Sequence, residues 1–383
     1  MDEDLLQRLA EFSRGLGLEL MGTAPLTQNE IGWLVPHAER LRSWVDTGQH
    51  GDMTWLANRV EERCVPHQLL PEAKSALIFW GNHHFAARQP PDYLTARVAR
   101  YAWGRDYHNI LKKALRKINR WLISEVGVFS SYTSVDTGAI LERAVGQRAQ
   151  LGWIGRSTML ISQELGTFGS LAVMYTNHAI DHSHENHPFR CGRCTQCVTD
   201  CPTGALSESG LDARLCISYW TIEHRGMIPR DFRSKIDDWV FGCDICQDVC
   251  PWNHKAPNAD EALWQPKQAH IFPDLIDWLT TPDETLDKRL EGSPLRRAKP
   301  EGLKRNACIV LANQGYVQAL PTLTQVALSH PSEVVRATAL WACRVLGHPH
   351  IVDLCAHDLS ELVQLERQAN LDGTIQPLPG SLN

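Results

Sequence analysis

The chain has 383 residues, enough for two or three domains that each bury their own core. Apolar residues make up 43% and charged residues 21%, as in ordinary soluble proteins, and no stretch approaches the roughly 20 continuous apolar residues of a membrane span. The net charge of −6 argues against indiscriminate binding to polyanions but is compatible with a local basic patch.

Helices and strands alternate in the predicted structure up to about residue 180. Leu5, Leu9 and Phe12 stand at helical spacing in an acidic first segment that lacks the blocks of a signal peptide, so we expect a cytoplasmic protein. In chain order the predicted elements are a helix over 4–16, a buried strand over 75–80, an amphipathic helix over 106–127 and a buried strand over 170–177. This order predicts an α/β or α+β domain.

Two further regions follow along the chain. A polar, His-rich linker at 177–188 leads to a cysteine-dense segment, which includes a predicted helix over 215–226. Beyond residue 270 the predicted elements are short helices of the kind that stack as helical repeats, over 301–315, 319–330 and 331–347. We therefore predict three domains, 1–185, 186–256 and 257–383, the last of which ends in a disordered tail.

The cysteines form two runs. The first has the bacterial ferredoxin spacing C-x2-C-x2-C-x3-C-P without a mismatch and consists of Cys191, Cys194, Cys197 and Cys201. The second run, CDICQDVCP, has Val240 where its first ligand would stand, so it is one cysteine short. In a reducing compartment such clusters are more typical of metal ligands than of disulfides.

Two 4Fe–4S clusters account for this pattern, because the fourth cysteine of each run ligates the other cluster. The first cluster is then held by Cys191, Cys194, Cys197 and Cys250. The second is held by Cys201, Cys243, Cys246 and Cys216, the last being the only cysteine between the runs. Two clusters this close would form a short path for electrons.

Zinc sites and a radical-generating cluster account for the cysteines less well. A pair of zinc sites could use CxxC units but gives no role to the two C-P endings, and the CxxxCxxC run of a radical-generating cluster is absent. The remaining cysteines lie in amphipathic or helical contexts and are expected to be buried or incidental thiols: Cys64, Cys308, Cys343 and Cys355.

More than 180 residues precede the clusters, so we expect the electrons to reach something bound there. Neither GxGxxG nor a P-loop is present, which leaves nucleotide cofactors without support. His108, in DYHNIL, imitates the D-x-H-x-x-G signature of cobalamin proteins, but Leu111 replaces the glycine, which favours a histidine on a helix surface. Asp136 is typical of a turn or an N-cap; the alternative is a proton donor whose pKa is raised in a dry pocket.

Six segments in combination resemble the epoxyqueuosine reductase family. They are YAWGRDYH (101–108), VDTGAILERA (135–144), GWIGRSTMLI (152–161), CGRCTQCVTDCPTGAL (191–206), CISYWTIEHRG (216–226) and GCDICQDVCPWN (242–253). Their order and spacing match over nearly the whole chain, including the helical C-terminal part. The resemblance implies a cobalamin-binding first domain, a ferredoxin-like domain with two 4Fe–4S clusters and HEAT-like repeats. It also implies an oxidoreductase that converts epoxyqueuosine to queuosine at the wobble position of tRNA, the last step of queuosine biosynthesis.

The resemblance assigns roles to individual residues. Asp136 matches the proton donor of the family, and Arg143 lies near the substrate base. The cobalamin contacts fall on Arg63, Asp136, Ser157, Thr158 and Ser218. An external low-potential donor would supply electrons through the clusters to cobalt, and Co(I) would act on the epoxide while Asp136 protonates its oxygen. A monomer without membrane contact would suffice.

A basic run offers a surface for tRNA phosphates. Residues 288–305 contain seven Lys or Arg against two Glu, and Arg336 stands at the position of Arg305 in the next repeat. The predicted tRNA contacts in this region are Arg296, Arg297, Lys304, Arg305 and Arg336. Without the resemblance, a run of this kind is equally typical of a solvated surface.

Three other functions are compatible with parts of the pattern. A reductive dehalogenase also couples cobalamin to two such clusters, but those enzymes usually carry a twin-arginine signal and use a Tyr as the acid. A two-cluster electron carrier would have an inert first domain that binds no cobalamin. An RNA-binding protein with structural clusters would tolerate replacement of Asp136.

Overall fold

The computed structural model describes residues 1–88, 90, 94–180 and 186–371. The chain divides into two compact units. The first comprises Met1–Ala86, Arg105–Arg214 and Asp244–Gln265, and the second Ala87–Gly104, Leu215–Cys243 and Pro266–Asn383. The units do not follow the predicted boundaries at residues 185 and 256, because each is assembled from three separate stretches of chain. The predicted disordered tail, 372–383, lies outside the described residues.

The described residues contain ten strands and nineteen α-helices, named here in chain order. The strands are β1 (Glu19–Pro25), β2 (Ser75–Asn82), β3 (Arg97–Val98), β4 (Ser131–Ser134), β5 (Trp153–Ile154), β6 (Leu160–Ile161), β7 (Gly169–Thr176), β8 (Leu206–Ser207), β9 (Gly210–Leu211) and β10 (Trp239–Phe241). The helices are α1 (Glu3–Arg14), α2 (Val35–Asp46), α3 (Thr54–Ala57), α4 (Val60–Cys64), α5 (Tyr107–Val126), α6 (Glu142–Arg148), α7 (Gln196–Thr199), α8 (Ile217–Ile222), α9 (Arg230–Arg233), α10 (Ile245–Asp248), α11 (Glu261–Trp264), α12 (Gln268–Ile271), α13 (Leu275–Thr280), α14 (Asp283–Arg289), α15 (Lys299–Asn313), α16 (Leu320–Ser329), α17 (Glu333–Val345), α18 (Ile351–Leu354) and α19 (Glu361–Leu371).

The first unit is built on a four-stranded antiparallel sheet with the order β1-β2-β7-β4. The strands predicted at 75–80 and 170–177 are confirmed as the central pair, β2 and β7, which are almost entirely buried. Alternate residues of a strand point to opposite faces. Ile78 and Val173 therefore share one face, where they pack with Val145 of α6 in a common hydrophobic core.

Helix α5 packs on the sheet and confirms the predicted amphipathic helix over 106–127. Its apolar side chains recur at helical spacing, and the buried ones are Ile110, Leu111, Ala114, Leu115, Ile118 and Leu122. Asp106 caps the helix by accepting a hydrogen bond from the backbone N–H of His108 at 2.9 Å. The N-terminus of α5 is thereby fixed in the first unit.

The second unit is mainly helical. Its central helix, α15, packs against α17, α14 and α13, and the eleven residues from Gly302 to Ala312 are all buried. Helices α15, α16 and α17 confirm the three predicted over 301–347, and α19 packs on α17. Across the described residues, no helix combines the length and apolar character needed to cross a membrane.

The helix predicted over 215–226 is too long. Helix α8 ends at Ile222, and the carbonyl groups of His224 and Gly226 beyond it accept hydrogen bonds from Arg305. A buried guanidinium from elsewhere in the chain thus takes up backbone acceptors at the end of the helix.

Candidate active site and metal-cluster pocket

Asp136 lies on the loop that connects β4 to α6. Its φ of 58° is in the left-handed region, which non-glycine residues adopt at a cost of about 1–3 kcal/mol when the surroundings enforce it. The turn is closed by a hydrogen bond of 2.6 Å from the N–H of Thr137 to the carbonyl of Val135. The Asp136 side chain is 57% exposed, so its carboxylate is accessible from outside.

His108 contacts this carboxylate from the first turn of α5. Its Nε2 lies 3.3 Å from Oδ2 of Asp136, and its Nδ1 lies 2.8 Å from Oδ1 of Asp106. Burial by itself would lower the pKa of His108, but the hydrogen bonds to Asp106 and Asp136 outweigh it and raise the pKa to about 9. His108 is therefore a cation at neutral pH that holds a proton beside Asp136.

The sequence pattern places His108 on a helix surface and gives no sign of this contact. The prediction is incomplete because residues 108 and 136 are far apart in sequence and belong to different elements. One signal was available, since DYH and the Asp136 turn both lie within the segments that carry the family resemblance.

Arg63, at the end of α4, is 4% exposed and lies beside the same loop. One guanidinium nitrogen, NH1, donates to the carbonyl of Gly138 at 2.8 Å, while Nε is buried without a hydrogen-bond partner. A Cβ at residue 138 would come within 2.2 Å of the Ser134 hydroxyl oxygen, so this close packing requires glycine. An orphaned, buried donor of this kind is suited to bind an acceptor group of a ligand.

Glu142 adds a second carboxyl group to this part of the first unit. Desolvation raises the pKa of Glu142 to about 8, and the negative charge of Asp136 acts in the same direction. The Ser134 hydroxyl lies 3.4 Å from Oε1 of Glu142. A carboxyl group that stays protonated near neutral pH could donate a hydrogen bond or a proton.

The remaining predicted cobalamin residues, and Arg143, which was predicted near the substrate base, are placed as follows. Ser157 is buried, and Thr158 has a φ of 61°. Arg143 is exposed on α6, and its guanidinium donates to the carbonyl of Thr158. Ser218 lies on α8 of the second unit and is half-buried.

The structure brings together the four cysteines predicted for the first cluster. They line a pocket of about 40 Å³ in the first unit, together with residues that include Ser157, Ile161 and Trp252. Cys191, Cys194, Cys197 and Cys250 are all among its lining residues. Among the described residues, no group of three or more His, Cys, Asp or Glu is arranged to hold a single metal ion. Four thiols around one pocket are the donor set of a cubane cluster.

Two contacts position this pocket. The Trp153 indole N–H lies 3.3 Å from the Cys191 sulfur, and hydrogen bonds to ligand sulfurs tune the potential of a cluster. Asn253, three residues after Cys250, is buried; its side chain accepts from the Thr167 N–H at 2.7 Å and donates to the Gln247 carbonyl at 2.6 Å. Asn253 therefore fixes the backbone that carries Cys250.

The cysteines predicted for the second cluster are distributed over both units. Cys201 and Cys246 belong to the first unit, whereas Cys216 and Cys243 belong to the second, and all four are half-buried. Of the cysteines predicted as incidental, Cys64 is half-buried and the others are buried: Cys308, Cys343 and Cys355.

The expectation of an exposed basic face on α15 is wrong. Lys304 and Arg305 are only 2% and 1% exposed, because α15 is enclosed by other helices. Lys304 donates to the Thr281 carbonyl at 2.7 Å and forms an ion pair with Asp283 at 2.5 Å. These two cations therefore bind groups within the protein.

Arg305 and Arg336 also bind groups within the protein. Arg305 donates to the carbonyls of Trp220 and Gly226, each at 2.7 Å. Arg336 forms a two-pronged ion pair with Asp358, at 2.6 and 3.0 Å, and is largely covered. Of the predicted tRNA contacts on the second unit, only two remain substantially exposed, Arg296 and Arg297.

The paired cysteine runs and the four-thiol pocket define an iron–sulfur redox protein. A family model for a 4Fe–4S double cluster binding domain matches residues 190–253, so iron–sulfur clusters are part of this protein. A second model, for epoxyqueuosine reductase QueG, matches residues 63–137, which include Arg63, His108 and Asp136.

Curated relatives extend the match to most of the chain. An epoxyqueuosine reductase from Synechocystis sp. is 38% identical over 75% of this chain and 98% of its own length. One from Pseudomonas aeruginosa is 33% identical over 90% of this chain and 95% of its own length. The chain belongs to the epoxyqueuosine reductase family, a family of oxidoreductases.

Solved structures agree with this assignment. An epoxyqueuosine reductase with an epoxyqueuosine-modified tRNA-Tyr stem loop is 27% identical and has a TM-score of 0.85, over 96% of this chain and 98% of that one. The Bacillus subtilis enzyme, with its catalytic aspartate loop swung out of the active site, is 26% identical, with a TM-score of 0.84 over 97% of this chain and 99% of that one.

Proposed function

We propose that the chain reduces epoxyqueuosine to queuosine at the wobble position of tRNA, with Asp136 as the proton donor. The net reaction consumes two electrons and two protons: both C–O bonds of the epoxide break, an alkene forms and the oxygen leaves as water. Protonation of the oxygen makes it a better leaving group, so an acid must stand beside the epoxide.

The observation that carries the proposal is the arrangement around Asp136. Its carboxylate is accessible, is held on a strained turn and is 3.3 Å from a histidine whose pKa of about 9 keeps it protonated. A proton can therefore pass from His108 to the Asp136 carboxylate and from there to the epoxide oxygen, which leaves His108 neutral. The catalytic loop of the Bacillus subtilis relative carries an aspartate as well, which supports the same role for Asp136.

We propose that the chain holds cobalamin, which would supply the chemistry at the epoxide carbon. When bound and reduced, it supplies Co(I), a strong nucleophile and reductant. The unpartnered Nε of buried Arg63 fits a polar group of such a cofactor. Ser157 and Thr158 of the first unit and Ser218 of the second are proposed as further contacts. In this proposal the protein orients the ligand and holds the proton.

The clusters are proposed to pass electrons from an external low-potential donor to the cobalamin site. The pocket formed by the first ligand set supports the assignment of Cys191, Cys194, Cys197 and Cys250. The second set, Cys201, Cys216, Cys243 and Cys246, is proposed from the spacing of the two runs. The region over 257–383 is proposed to be a HEAT-like stack, and the first domain to bind cobalamin.

The tRNA is proposed to contact Arg143, which is exposed on α6, and the exposed pair Arg296 and Arg297. Arg296 forms an ion pair with Asp287 and Arg297 forms one with Glu223, so the positive charge of each arginine is partly compensated. We propose a cytoplasmic reaction, since its substrate is tRNA.

The test is complementation of a strain that lacks the gene, with nucleosides from its tRNA analysed by mass spectrometry. The deletion strain should accumulate epoxyqueuosine, and the wild-type chain should restore queuosine. Asp136→Asn keeps the size of the side chain but removes the acid, so we expect it to bind cofactor and tRNA without turnover. Normal queuosine in the Asp136→Asn strain would refute the acid role, and queuosine in the deletion strain would refute the function.

A further inference from the structure

Helix α5 carries a basic face that no predicted site includes. Residues 107–124 contain no Asp or Glu, although the chain as a whole has a net charge of −6. The five cations of this stretch are Lys112, Lys113, Arg116, Lys117 and Arg120. They recur at three- and four-residue spacing, so they share one side of the helix.

The structure leaves this face open to solvent. Lys113, Arg116 and Lys117 are exposed, while the opposite side of α5 is buried against the sheet. In the part of the chain that the structure describes, no ion pair engages these three side chains. Two acidic residues adjoin the stretch: Glu125 pairs with Arg8 at the far end of the helix, and Asp106 accepts hydrogen bonds from His108 at its start. Within the described ranges, no acidic side chain therefore pairs with Lys113, Arg116 or Lys117.

The basic face leads directly to the candidate active site. Lys112 donates to the Thr137 hydroxyl at 3.1 Å, next to Asp136. One turn earlier on the same helix, His108 contacts the Asp136 carboxylate. With a rise of 1.5 Å per residue, the cations from 112 to 120 extend about 12 Å from this point.

We propose that the basic face of α5 binds the phosphate backbone of the tRNA next to the flipped wobble nucleotide. This inference rests on the proposed function and names the surface that holds its substrate. A base that reaches Asp136 brings its flanking phosphates with it. On α5, the exposed cations Lys113, Arg116 and Lys117 follow directly after Lys112, which contacts the Asp136 loop. The side chains bind phosphate without reading sequence, so they position the RNA rather than select it.

The test compares two variants with the same change of charge. Lys113→Gln/Lys117→Gln alters the basic face, whereas Lys74→Gln/Lys267→Gln removes two exposed lysines elsewhere. Reconstituted enzyme is assayed with a chemical reductant, using an epoxyqueuosine stem loop and the free epoxyqueuosine nucleoside. For the stem loop we expect the Lys113/Lys117 variant to raise KM on the order of tenfold near 0.1 M salt with kcat unchanged. We also expect it to flatten the dependence of log Kd on log salt by about 1.5. The control variant should change neither.

The outcomes separate this inference from the proposed function. Turnover of the free nucleoside that is the same in wild type and variant, with weaker binding of the stem loop, supports the inference. An unchanged KM and salt dependence for the stem loop overturns it while the function stands. Loss of rate only with an acidic protein donor, and not with the chemical reductant, would assign the face to the electron donor instead. Absence of turnover in the wild type with either substrate refutes the function itself.

Discussion

Replacement of Asp106 by Asn should move the basic limit of the enzyme's pH profile. Asp106 has two roles: it caps α5 through the His108 N–H at 2.9 Å and accepts from the His108 ring at 2.8 Å. Asn is as good an N-cap as Asp, so Asp106→Asn keeps the helix start and removes only the charge. The variant therefore isolates the electrostatic effect on His108.

The size of the effect follows from the pKa of His108. Burial opposes the charged form, and hydrogen bonds to Asp106 and Asp136 raise the pKa to about 9. An opposite charge at this range shifts a pKa by about one to three units, and Asp136 remains in the variant. We therefore expect the His108 pKa in Asp106→Asn to fall by about one to two units, equivalent to roughly 1.4–2.7 kcal/mol.

The assay is single-turnover reduction of the stem loop between pH 6 and pH 10. In wild type the rate should fall as pH rises through about 9, when His108 loses its proton. In Asp106→Asn the fall should begin one to two units lower, with the rate at pH 6 preserved. Asp2→Asn, the same change at the cap of α1, is the matched control. A basic limit that stays near 9 in Asp106→Asn would refute the role of His108 as proton source.

The same shift predicts the pH dependence of stability. The folded-state pKa of His108 lies above its unfolded value of about 6.5. Its stabilising contribution is therefore fully present below pH 6.5 and is lost as pH rises through about 9. Asp106→Asn should lower the free energy of unfolding at pH 6 by about 1.4–2.7 kcal/mol and leave it nearly unchanged at pH 10, as chemical denaturation can measure.

Two further predictions concern the second unit. Arg305→Ala should lower the free energy of unfolding by about 4 kcal/mol, because it leaves the Trp220 and Gly226 carbonyls unsatisfied. Chemical denaturation would measure this loss. A variant of wild-type stability with only a raised KM for tRNA would contradict the prediction. Glu366→Ala should lower the free energy of unfolding by about 3–5 kcal/mol, because Glu366 and Arg233 are both fully buried and the Arg233 guanidinium loses its carboxylate partner. An unfolding curve that matches wild type would contradict this prediction.

The spacing of the cysteines and the periodicity of the apolar residues were sufficient to predict much of this protein. The four cysteines proposed for the first cluster, including Cys250 from a distant run, were predicted from the ferredoxin pattern, and in the structure they line one pocket. The central strands and helix α5 followed from apolar periodicity, since a strand buried on both faces is continuously apolar and a helix on a sheet is apolar on one side.

The exposure and ion pairing of the Lys and Arg side chains were less predictable, because the sequence does not show which acidic neighbour pairs with each of them. Lys304 and Arg305 have the spacing of an exposed basic face, yet both are buried because other helices enclose α15. Lys304 pairs with Asp283, and Arg305 donates to backbone carbonyls. Among the residues that the structure describes, Lys113 and Lys117 of α5 are instead exposed and form no ion pair.

From residue type and spacing, the sequence by itself determined the cysteine pattern of an iron–sulfur protein, and its resemblance to a known family identified that family and Asp136 as a candidate acid. Only the tertiary structure decided that His108 stands beside Asp136 and which cations remain open to solvent. The physical reason is that pKa and exposure are set by groups brought together from distant parts of the chain.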